Sequence, residues 1–451
     1  MSTLTAPQAG FNIDRERVQR RPVETSSFLL VVTYALMLPL VFFAARGAFS
    51  FQGISGNSAA ASAYGAPDPN TGKGNALHSA ELIVSFGITV LALFPVYRTV
   101  VRTCRENAVL LLLPVWSIFS VLWSTDPTRT LSFGMLALLL TIFGVYIPVR
   151  FTPRQQMQLI LFTGLIATVA SLALVAVLPS AGIDYKNATV GFEGIYPQKN
   201  ICSVITVMLL TPAFFYRFTG SSASVKRIGY FVLLIALIIG TRARTGWIVL
   251  ALVVLFIVLS KFLHRLRPLE RVLVTAFLPA VGLLASYLIY DSRFAILKFL
   301  GKDPSLSGRT GIWAVMFLAI VKRPLTGFGY AAFWTVTNPE AHRLALAAAD
   351  PGLNNAENGI LQLWLEIGLI GVLILGYLLF RTTKNAITCF RSDTPNYALW
   401  YMSILFITLL GLGDGSKFMV PTSIEWVLYI LCDIGLAREA QRVRSARTTW
   451  A

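Results

Sequence analysis

Charged side chains beside long apolar segments are the residues of this chain best suited to chemistry. Glu357 stands just before an apolar run that begins at Ile360, where a carboxylate whose pKa is adjusted by partial burial can accept a proton from a hydroxyl group. Arg244 and Arg309 have small or hydroxyl-bearing neighbours that leave room for a ligand. Because guanidinium groups bind phosphate oxygens in pairs, these residues predict a site for a diphosphate.

Each of these residues also has a structural interpretation. An acid such as Glu357 is favoured by the dipole of a following helix, and arginines at a membrane surface can extend to lipid headgroups. We favour lipid headgroups for Lys322 and Arg323, and we leave both interpretations open for Arg242. The further candidate binding residues lie in the same set of predicted loops: Lys199, Arg242, Trp313, His342 and Asn358.

The composition is that of a membrane protein. Only 13% of the residues are charged and the mean hydropathy is +0.68, whereas a soluble domain has about a quarter charged residues. The net charge is +17, yet more than half of the 38 Lys and Arg residues lie in alternate loops, which is the positive-inside pattern. We therefore expect no nucleic-acid partner. Four cysteines without CxxC spacing and three scattered histidines predict neither a metal site nor a cofactor.

Hydropathy predicts an all-α polytopic fold with about twelve transmembrane helices, since roughly 20 apolar residues cross a bilayer as helix. The charge pattern places both termini in the cytoplasm. The pair 228–240 and 246–263 is predicted as two helices, because one continuous helix would bury Arg242 and Arg244 in hydrocarbon. The apolar windows are 28–45, 81–97, 108–124, 131–149, 157–178, 200–216, 228–240, 246–263, 272–290, 360–380, 397–412 and 419–436.

The chain divides into three predicted parts. Residues 1–27 form a cytoplasmic tail, 28–436 a transmembrane domain, and 437–451 a basic cytoplasmic tail. Within the domain, residues 291–359 form a large late outside loop with apolar helical stretches, which we interpret as a folded cap against the membrane face.

Several short motifs, in this order, resemble the O-antigen ligase and Wzy-type polymerase superfamily, including ExoQ-like exopolysaccharide polymerases. The resemblance covers roughly residues 80–436. Its markers are Trp123-Ser124-x-Asp126-Pro127, Lys199-Asn200, Arg244-Thr245, Gly308-Arg309-Thr310-x-Ile312-Trp313, the turn Pro324-Leu325-Thr326-Gly327-Phe328-Gly329, and Asn358-Gly359 followed by Gly368 and Gly371.

The resemblance implies a helical fold like that of other lipid-linked-sugar transferases, in the bacterial inner membrane. It implies metal-independent, inverting glycosyl transfer on the periplasmic side, from an undecaprenyl-diphosphate-linked glycan. Arg244 and Arg309 would bind the diphosphate. Aromatic residues of the cap would stack on sugars or anchor at the membrane interface: Trp313, Tyr330, Phe333 and Trp334.

The late family motif commonly has a histidine where this chain has Glu357. A glutamate can still deprotonate a hydroxyl group, and the absence of the ligase hallmark favours a polymerase over a ligase. The ligase and a lipid-linked-sugar flippase stay open as alternatives. Besides membrane lipid, a chain-length regulator or export proteins are expected partners.

Overall fold

The computed structural model describes residues 35–45, 74–185, 190–266, 309–335, 338–348, 353, 355–390, 395–412 and 423–448. Almost all of the described secondary structure is helical, which confirms the all-α prediction. Within these ranges the two β-strands are β1 (Ile183–Asp184) and β2 (Gly191–Phe192), which pair antiparallel.

The described helices follow the predicted apolar windows closely. The α-helices are α1 (Met37–Ala44), α2 (Gly74–Leu93), α3 (Tyr97–Glu106), α4 (Val109–Phe119), α5 (Pro127–Arg150), α6 (Pro153–Val177), α7 (Pro179–Gly182), α8 (Lys199–Leu210), α9 (Ala223–Gly240), α10 (Arg244–Arg265), α11 (Arg309–Ile320), α12 (Pro339–Ala347), α13 (Gly359–Phe390), α14 (Asn396–Leu412) and α15 (Ile424–Thr448). Short 3₁₀ segments occupy Phe94–Val96, Ser120–Trp123 and Thr211–Phe214.

Six helices in the described part of the chain are long and apolar enough to cross a membrane. They are Ala80–Glu106, Pro127–Arg150, Pro153–Val177, Ala223–Gly240, Arg244–Arg265 and Gly359–Phe390. Three further predicted windows coincide with shorter apolar helices at Val109–Trp123, Lys199–Phe214 and Asn396–Leu412. The predicted window 272–290 lies outside the described residues. The polytopic architecture is therefore confirmed, and the count of twelve is not.

Large apolar side chains cover the outside of the bundle. Leu91 is 74% exposed and Ile83 72% exposed, and such surfaces are unfavourable in water but suit a lipid environment. The interior is built around α15, which packs against α5, α13 and α14. Trp426 on α15 is fully buried and donates a hydrogen bond from its indole nitrogen to the Thr141 hydroxyl at 2.8 Å.

Three predicted cytoplasmic segments meet at one end of this bundle. A guanidinium nitrogen of Arg438 donates to the carbonyl oxygen of Pro148 at 2.5 Å, and Arg444 donates to the Asn385 side chain at 3.2 Å. The ends of α5, α13 and α15 thus lie together. This arrangement agrees with the alternation of loops that the charge pattern predicts.

The helix α13 is broken at Gly368, whose φ is 72°. A break inside an apolar helix frees backbone groups that must find other partners. The carbonyl oxygens of Leu365 and Glu366 accept hydrogen bonds from Phe328 N and Gly329 N, and Ile367 O accepts one from the Trp116 indole. After the break, Leu369 N and Ile370 N donate to the carbonyl oxygens of Pro324 and Leu325. The turn 324–329 therefore replaces one interrupted turn of helix.

The segment 123–130 holds the other side of the same turn. The Trp123 indole donates to Thr326 O at 2.9 Å, Thr125 N donates to Phe328 O at 3.0 Å, and the Arg129 side chain donates to Ala331 O at 2.8 Å. Asp126 caps α5 by accepting a hydrogen bond from Arg129 N. The segment 123–130, the turn 324–329 and the region of Gly368 are distant in sequence, yet together they form one scaffold around the break in α13.

Candidate functional site

Glu357 occupies a strained and tightly held turn. Its φ of 48° places it in the left-handed region, which a non-glycine residue adopts at a cost of about 1–3 kcal/mol unless its surroundings fix it. The Asn355 side chain supplies that restraint: its Oδ1 accepts from Glu357 N at 2.7 Å, and its Nδ2 donates to Glu357 Oε1 at 3.0 Å. The carboxylate is half-buried and held in one orientation.

The peptide before Glu357 is fixed on both sides. The Trp313 indole donates to the carbonyl oxygen of Ala356 at 3.1 Å, and Ala356 N donates to Gln362 Oε1 at 2.9 Å. Asn358 is the residue that caps the following helix, since its side-chain oxygen accepts from Ile360 N and Leu361 N. Glu357 stands one residue before this cap, so its carboxylate does not itself cap the helix, although it lies near the positive end of the helix dipole.

The turn that carries Glu357 rests on a small hydrophobic core of its own. This core is formed by side chains of α11, α12, the 324–333 loop and the start of α13, and includes Met316, Phe328, Leu344, Ala356 and Leu365. It is distinct from the main core of the bundle. The described part of the predicted cap is thus a packed unit, while residues 267–308 lie outside the described ranges.

Arg242 lies in the three-residue turn 241–243 between α9 and α10, and Arg244 directly follows that turn, which confirms the predicted hairpin. Both side chains are exposed, and Arg242 has a φ of 51°. Neither guanidinium has an ion-pair partner within the described ranges. Arg244 is the first residue of α10, so both arginines sit at a helix terminus where an anion is favoured by the free N–H groups.

Lys199 supports this hairpin from the interior. Its ammonium nitrogen lies 3.7 Å from Asp184 Oδ2, and the two side chains are only 7% and 3% exposed. Gly191 lies between the Lys199 stem and the hairpin: a Cβ atom there would stand 2.1 Å from the carbonyl oxygen of Thr241 and 3.4 Å from Lys199 Cδ. The antiparallel pair of β1 and β2 therefore connects Lys199 to the turn that presents Arg242 and Arg244.

Arg309 and His342 are placed by their helices. Arg309 is the first residue of α11, one helical turn before Trp313, and its side chain lies outside the described set. His342 is exposed on α12. The structure thus brings Arg309 near the Glu357 turn through α11, and it brings Lys199 to the arginine hairpin.

Two aromatic residues predicted to stack on sugars are buried instead. Tyr330 is 1% exposed and Phe333 is fully buried, because their rings pack into the cores beneath the 324–333 loop. That prediction is wrong for both residues. Trp313 and Trp334 remain half-buried, with their indole nitrogens bonded to Ala356 O and Gln362 Oε1.

Lys322 and Arg323 bind protein groups rather than serving only as headgroup contacts. Lys322 donates to Glu340 Oε2, and Arg323 donates to Trp123 O at 3.0 Å. The Lys322 hydrogen bond, with smaller contributions from the charges of Lys322 and Arg343, lowers the pKa of Glu340 below its usual value. Lys322 thus joins α12 to the end of α11 within the cap, and Arg323 joins the cap to the segment 123–130. The lipid headgroups that the sequence favoured as their partners do not account for these two contacts.

Sequence reasoning missed the residues that orient Glu357. Asn355 and Gln362 carry no charge and match no motif, so only their spacing around Glu357 could have drawn attention to them. In the described part of the chain, no three His, Cys, Asp or Glu side chains are grouped as metal ligands would be.

Comparison with known proteins agrees with the resemblance seen in the motifs. Residues 229–376 match the Wzy_C family model, described as O-antigen ligase. The match runs from α9 to α13, so it includes the arginine hairpin, Arg309 and the Glu357 turn. The chain is also 24% identical over 311 residues to the exopolysaccharide production protein ExoQ of Rhizobium meliloti (strain 1021), which covers 65% of this chain and 68% of that protein.

These two matches support a relationship of the chain to the O-antigen ligase and Wzy-type polymerase superfamily. Within that superfamily they support a likeness to ExoQ.

This similarity agrees with the apolar helices, and together they support a multi-pass membrane protein. It supports a role of the O-antigen ligase or polymerase type, with a glycosyltransferase-like activity on lipid-linked glycans. The turn 324–329, the broken helix at Gly368 and the turn of Glu357 all fall within the matched residues, whereas the segment 123–130 lies outside them.

Proposed function

We propose that the chain is a polymerase that joins undecaprenyl-diphosphate-linked repeat units into exopolysaccharide or O-antigen. The proposal rests chiefly on the Glu357 carboxylate, which Asn355 holds in a strained turn directly before α13. A restrained carboxylate in a sparsely populated backbone conformation is typical of functional sites. The similarity to an exopolysaccharide production protein favours a polymerase.

The arginines hold the leaving group in this mechanism. Arg244 and Arg309 bind the diphosphate, with Arg242 beside Arg244 in the same turn. Their charges stabilise the negative charge that grows on the diphosphate as its bond to the anomeric carbon breaks. Lys199, which is buried beside Asp184, acts by holding the hairpin in place.

Glu357 activates the acceptor. Its carboxylate accepts the proton of an acceptor hydroxyl while the hydroxyl oxygen attacks the anomeric carbon from the side opposite the diphosphate. One C–O bond forms, the bond to the diphosphate breaks with its electron pair, and the anomeric configuration inverts. Asn358 and Trp313 lie beside this position, and the Asn358 amide nitrogen offers a donor for a sugar hydroxyl.

The proposal includes an orientation of the chain in the membrane. The basic segments 150–156, 381–396 and 437–451 face the cytoplasm of a bacterial inner membrane, following the positive-inside rule. Both termini are then cytoplasmic, and the site opens to the periplasm. A chain-length regulator or export proteins are the further partners expected.

The decisive experiment sizes the lipid-linked glycan in a deletion strain complemented with variants. A strain without the protein should accumulate single repeat units. Arg244→Ala, Arg309→Ala and Glu357→Gln should fail to restore polymer, whereas Glu357→His should restore part of it. Arg343→Ala, which removes an exposed arginine of the same cap, is the matched control and should restore normal length. An active Glu357→Gln variant would exclude the carboxylate as the base.

The runner-up is a ligase, which the description of the matched family favours. A ligase transfers finished glycan to lipid A core or to another acceptor, so its deletion strain would accumulate long lipid-linked chains.

The flippase alternative is tested by a separate experiment. Purified protein that lengthens lipid-linked oligosaccharide without a membrane gradient excludes transport as the primary activity.

A further inference from the structure

A buried amide and a buried carboxylate lie one turn apart on the first segment of α13. Gln362 is 5% exposed and Glu366 is 2% exposed. Gln362 Nε2 donates a hydrogen bond to Glu366 Oε1. Burying a carboxylate is unfavourable unless its oxygens are bonded, and the mechanism above assigns Glu366 no task.

The orientation of the Gln362 amide follows from its partners. Its oxygen accepts two hydrogen bonds, from the Trp334 indole at 3.1 Å and from Ala356 N at 2.9 Å. Both of those groups are donors only, so the oxygen must face them and the amide nitrogen must face Glu366. The direction of both hydrogen bonds in this bridge is therefore defined. The Glu366 carboxylate accepts from the Gln362 amide nitrogen, and the Gln362 oxygen accepts from Ala356 N, in the peptide that precedes Glu357.

Glu366 is anchored independently of this bridge. Its carbonyl oxygen accepts from Gly329 N at 2.8 Å, and a Cβ atom at Gly327 would stand 2.5 Å from that same oxygen. Burial, and in second place the Glu366 charge, raise the pKa of the neighbouring Tyr330 phenol well above its usual value. The backbone of Glu366 is thus fixed against the turn 324–329, and its buried side chain extends from that fixed point toward Gln362.

We infer that Gln362 and Glu366 are a positioning pair that holds the Ala356 peptide, and through it the Glu357 carboxylate, in the orientation that activates the acceptor. The inference rests on the proposed role of Glu357. The pair touches no substrate. Glu366 orients the Gln362 amide, Gln362 fixes Ala356 N, and Trp313 fixes Ala356 O.

Exchanging the two side chains tests the pair. In Gln362→Glu, two carboxyl groups face each other, and a direct hydrogen bond between them requires that they share a proton. One of the two pKa values is then raised. Below that raised pKa the shared proton replaces the missing amide hydrogen, and above it both groups ionise and repel. In Gln362→Glu combined with Glu366→Gln, the new amide at 366 donates to the new carboxylate at 362, so one bridging hydrogen bond is restored.

The assay follows how the purified protein lengthens chains of lipid-linked repeat units. The values of kcat and KM are determined from about pH 5.5 to about pH 8.5. We expect the kcat of Gln362→Glu to fall about tenfold relative to wild type at the alkaline end, to recover toward the acid end, and to leave the donor KM unchanged. The exchanged protein should regain most of the wild-type kcat and lose the added pH dependence. A merely structural role would lower protein yield and thermal stability without producing this pH profile.

Two outcomes would overturn the inference. One is a Gln362→Glu variant with wild-type kcat at every pH, and the other is an exchanged protein no better than that variant. Should Gln362→Glu not accumulate in the membrane, Trp334→Phe removes one donor to the Gln362 oxygen and should lower kcat about threefold; wild-type kcat there also refutes the pair. Glu357→Gln is measured alongside. If it lengthens chains as wild type does, the proposed role of Glu357 as base fails, whereas if it is inactive beside an unaffected Gln362→Glu, only the pair fails. If the wild-type protein lengthens no chains, the proposed polymerase function fails.

Discussion

The indole nitrogen of Trp313 lies 3.1 Å from the carbonyl oxygen of Ala356. This hydrogen bond connects α11, which begins at Arg309, to the turn that carries Glu357. The helix that presents a diphosphate-binding candidate and the turn that presents the candidate base are therefore fixed relative to each other by one side chain.

Trp313→Phe should weaken activity without unfolding the protein. The ring remains in its packed position, while the hydrogen bond to Ala356 is lost. Because such a bond contributes about 1 kcal/mol net, we expect roughly a fivefold lower kcat with little change in membrane yield. Chain lengthening by purified protein measures this. Leu318→Ala, at an exposed position of the same helix, is the control and should behave as wild type. An unchanged kcat in Trp313→Phe would show that the Glu357 turn needs no support from α11.

The sequence predicted the parts of this fold that depend on local composition. The hairpin at Arg242 and Arg244 was predictable, because burying two charges inside one apolar helix is unfavourable. Long-range contacts were not predictable. Lys199 stands at the start of an apolar segment and suggests an exposed cation, yet a short β pairing brings Asp184 beside it and both are buried.

Gly368, near the candidate site, also depends on long-range contacts that could not be predicted from the sequence. Its place in a family-like motif was visible in the sequence, but the reason for the glycine was not. Its φ of 72° and its close approach to Leu325 depend on the turn 324–329, which lies some forty residues earlier. The bridge from Gln362 to Ala356 likewise arises only when the break in α13 and the cap are assembled.

Gly368→Ala should be strongly destabilising. A Cβ atom at this position would stand 2.1 Å from the Leu325 carbonyl oxygen, in a backbone conformation that alanine rarely adopts. We expect a loss of more than about 3 kcal/mol. Gly376→Ala, in the same helix with no atom within 4 Å of the added Cβ, should be neutral or slightly stabilising. Thermal stability in detergent, followed by size-exclusion chromatography, compares the two. Equal melting temperatures would contradict the view that the break at Gly368 is required.

Acid should loosen α12 from the end of α11. The pKa of Glu340 is lowered in the folded protein, chiefly by the hydrogen bond from Lys322. A lowered folded-state pKa means that the pair stabilises the protein above the ordinary value of 4.5, and that this stabilisation is lost as the pH falls below it. Since Lys322 is 54% exposed, the effect should stay below about 1 kcal/mol.

Amide exchange of residues 338–348, corrected for the intrinsic pH dependence, measures this loosening. Protection should be constant above about pH 5 and should decline as the pH falls below 4.5 in the wild type. In Glu340→Gln the protection should be lower at neutral pH and should not decline further. The same acid response in both proteins would show that another group controls the attachment of α12.

The Lys199–Asp184 pair separates support of the arginine hairpin from direct binding of the donor. Removing one partner of a buried ion pair leaves an uncompensated charge, so Lys199→Met and Asp184→Asn should each destabilise the protein by about 3–5 kcal/mol. The double variant buries no net charge and should recover most of that stability. Because Lys199 is buried and paired, we expect the double variant also to recover the donor KM. A double variant that is stable but has a raised donor KM would show that the Lys199 charge itself contacts the diphosphate.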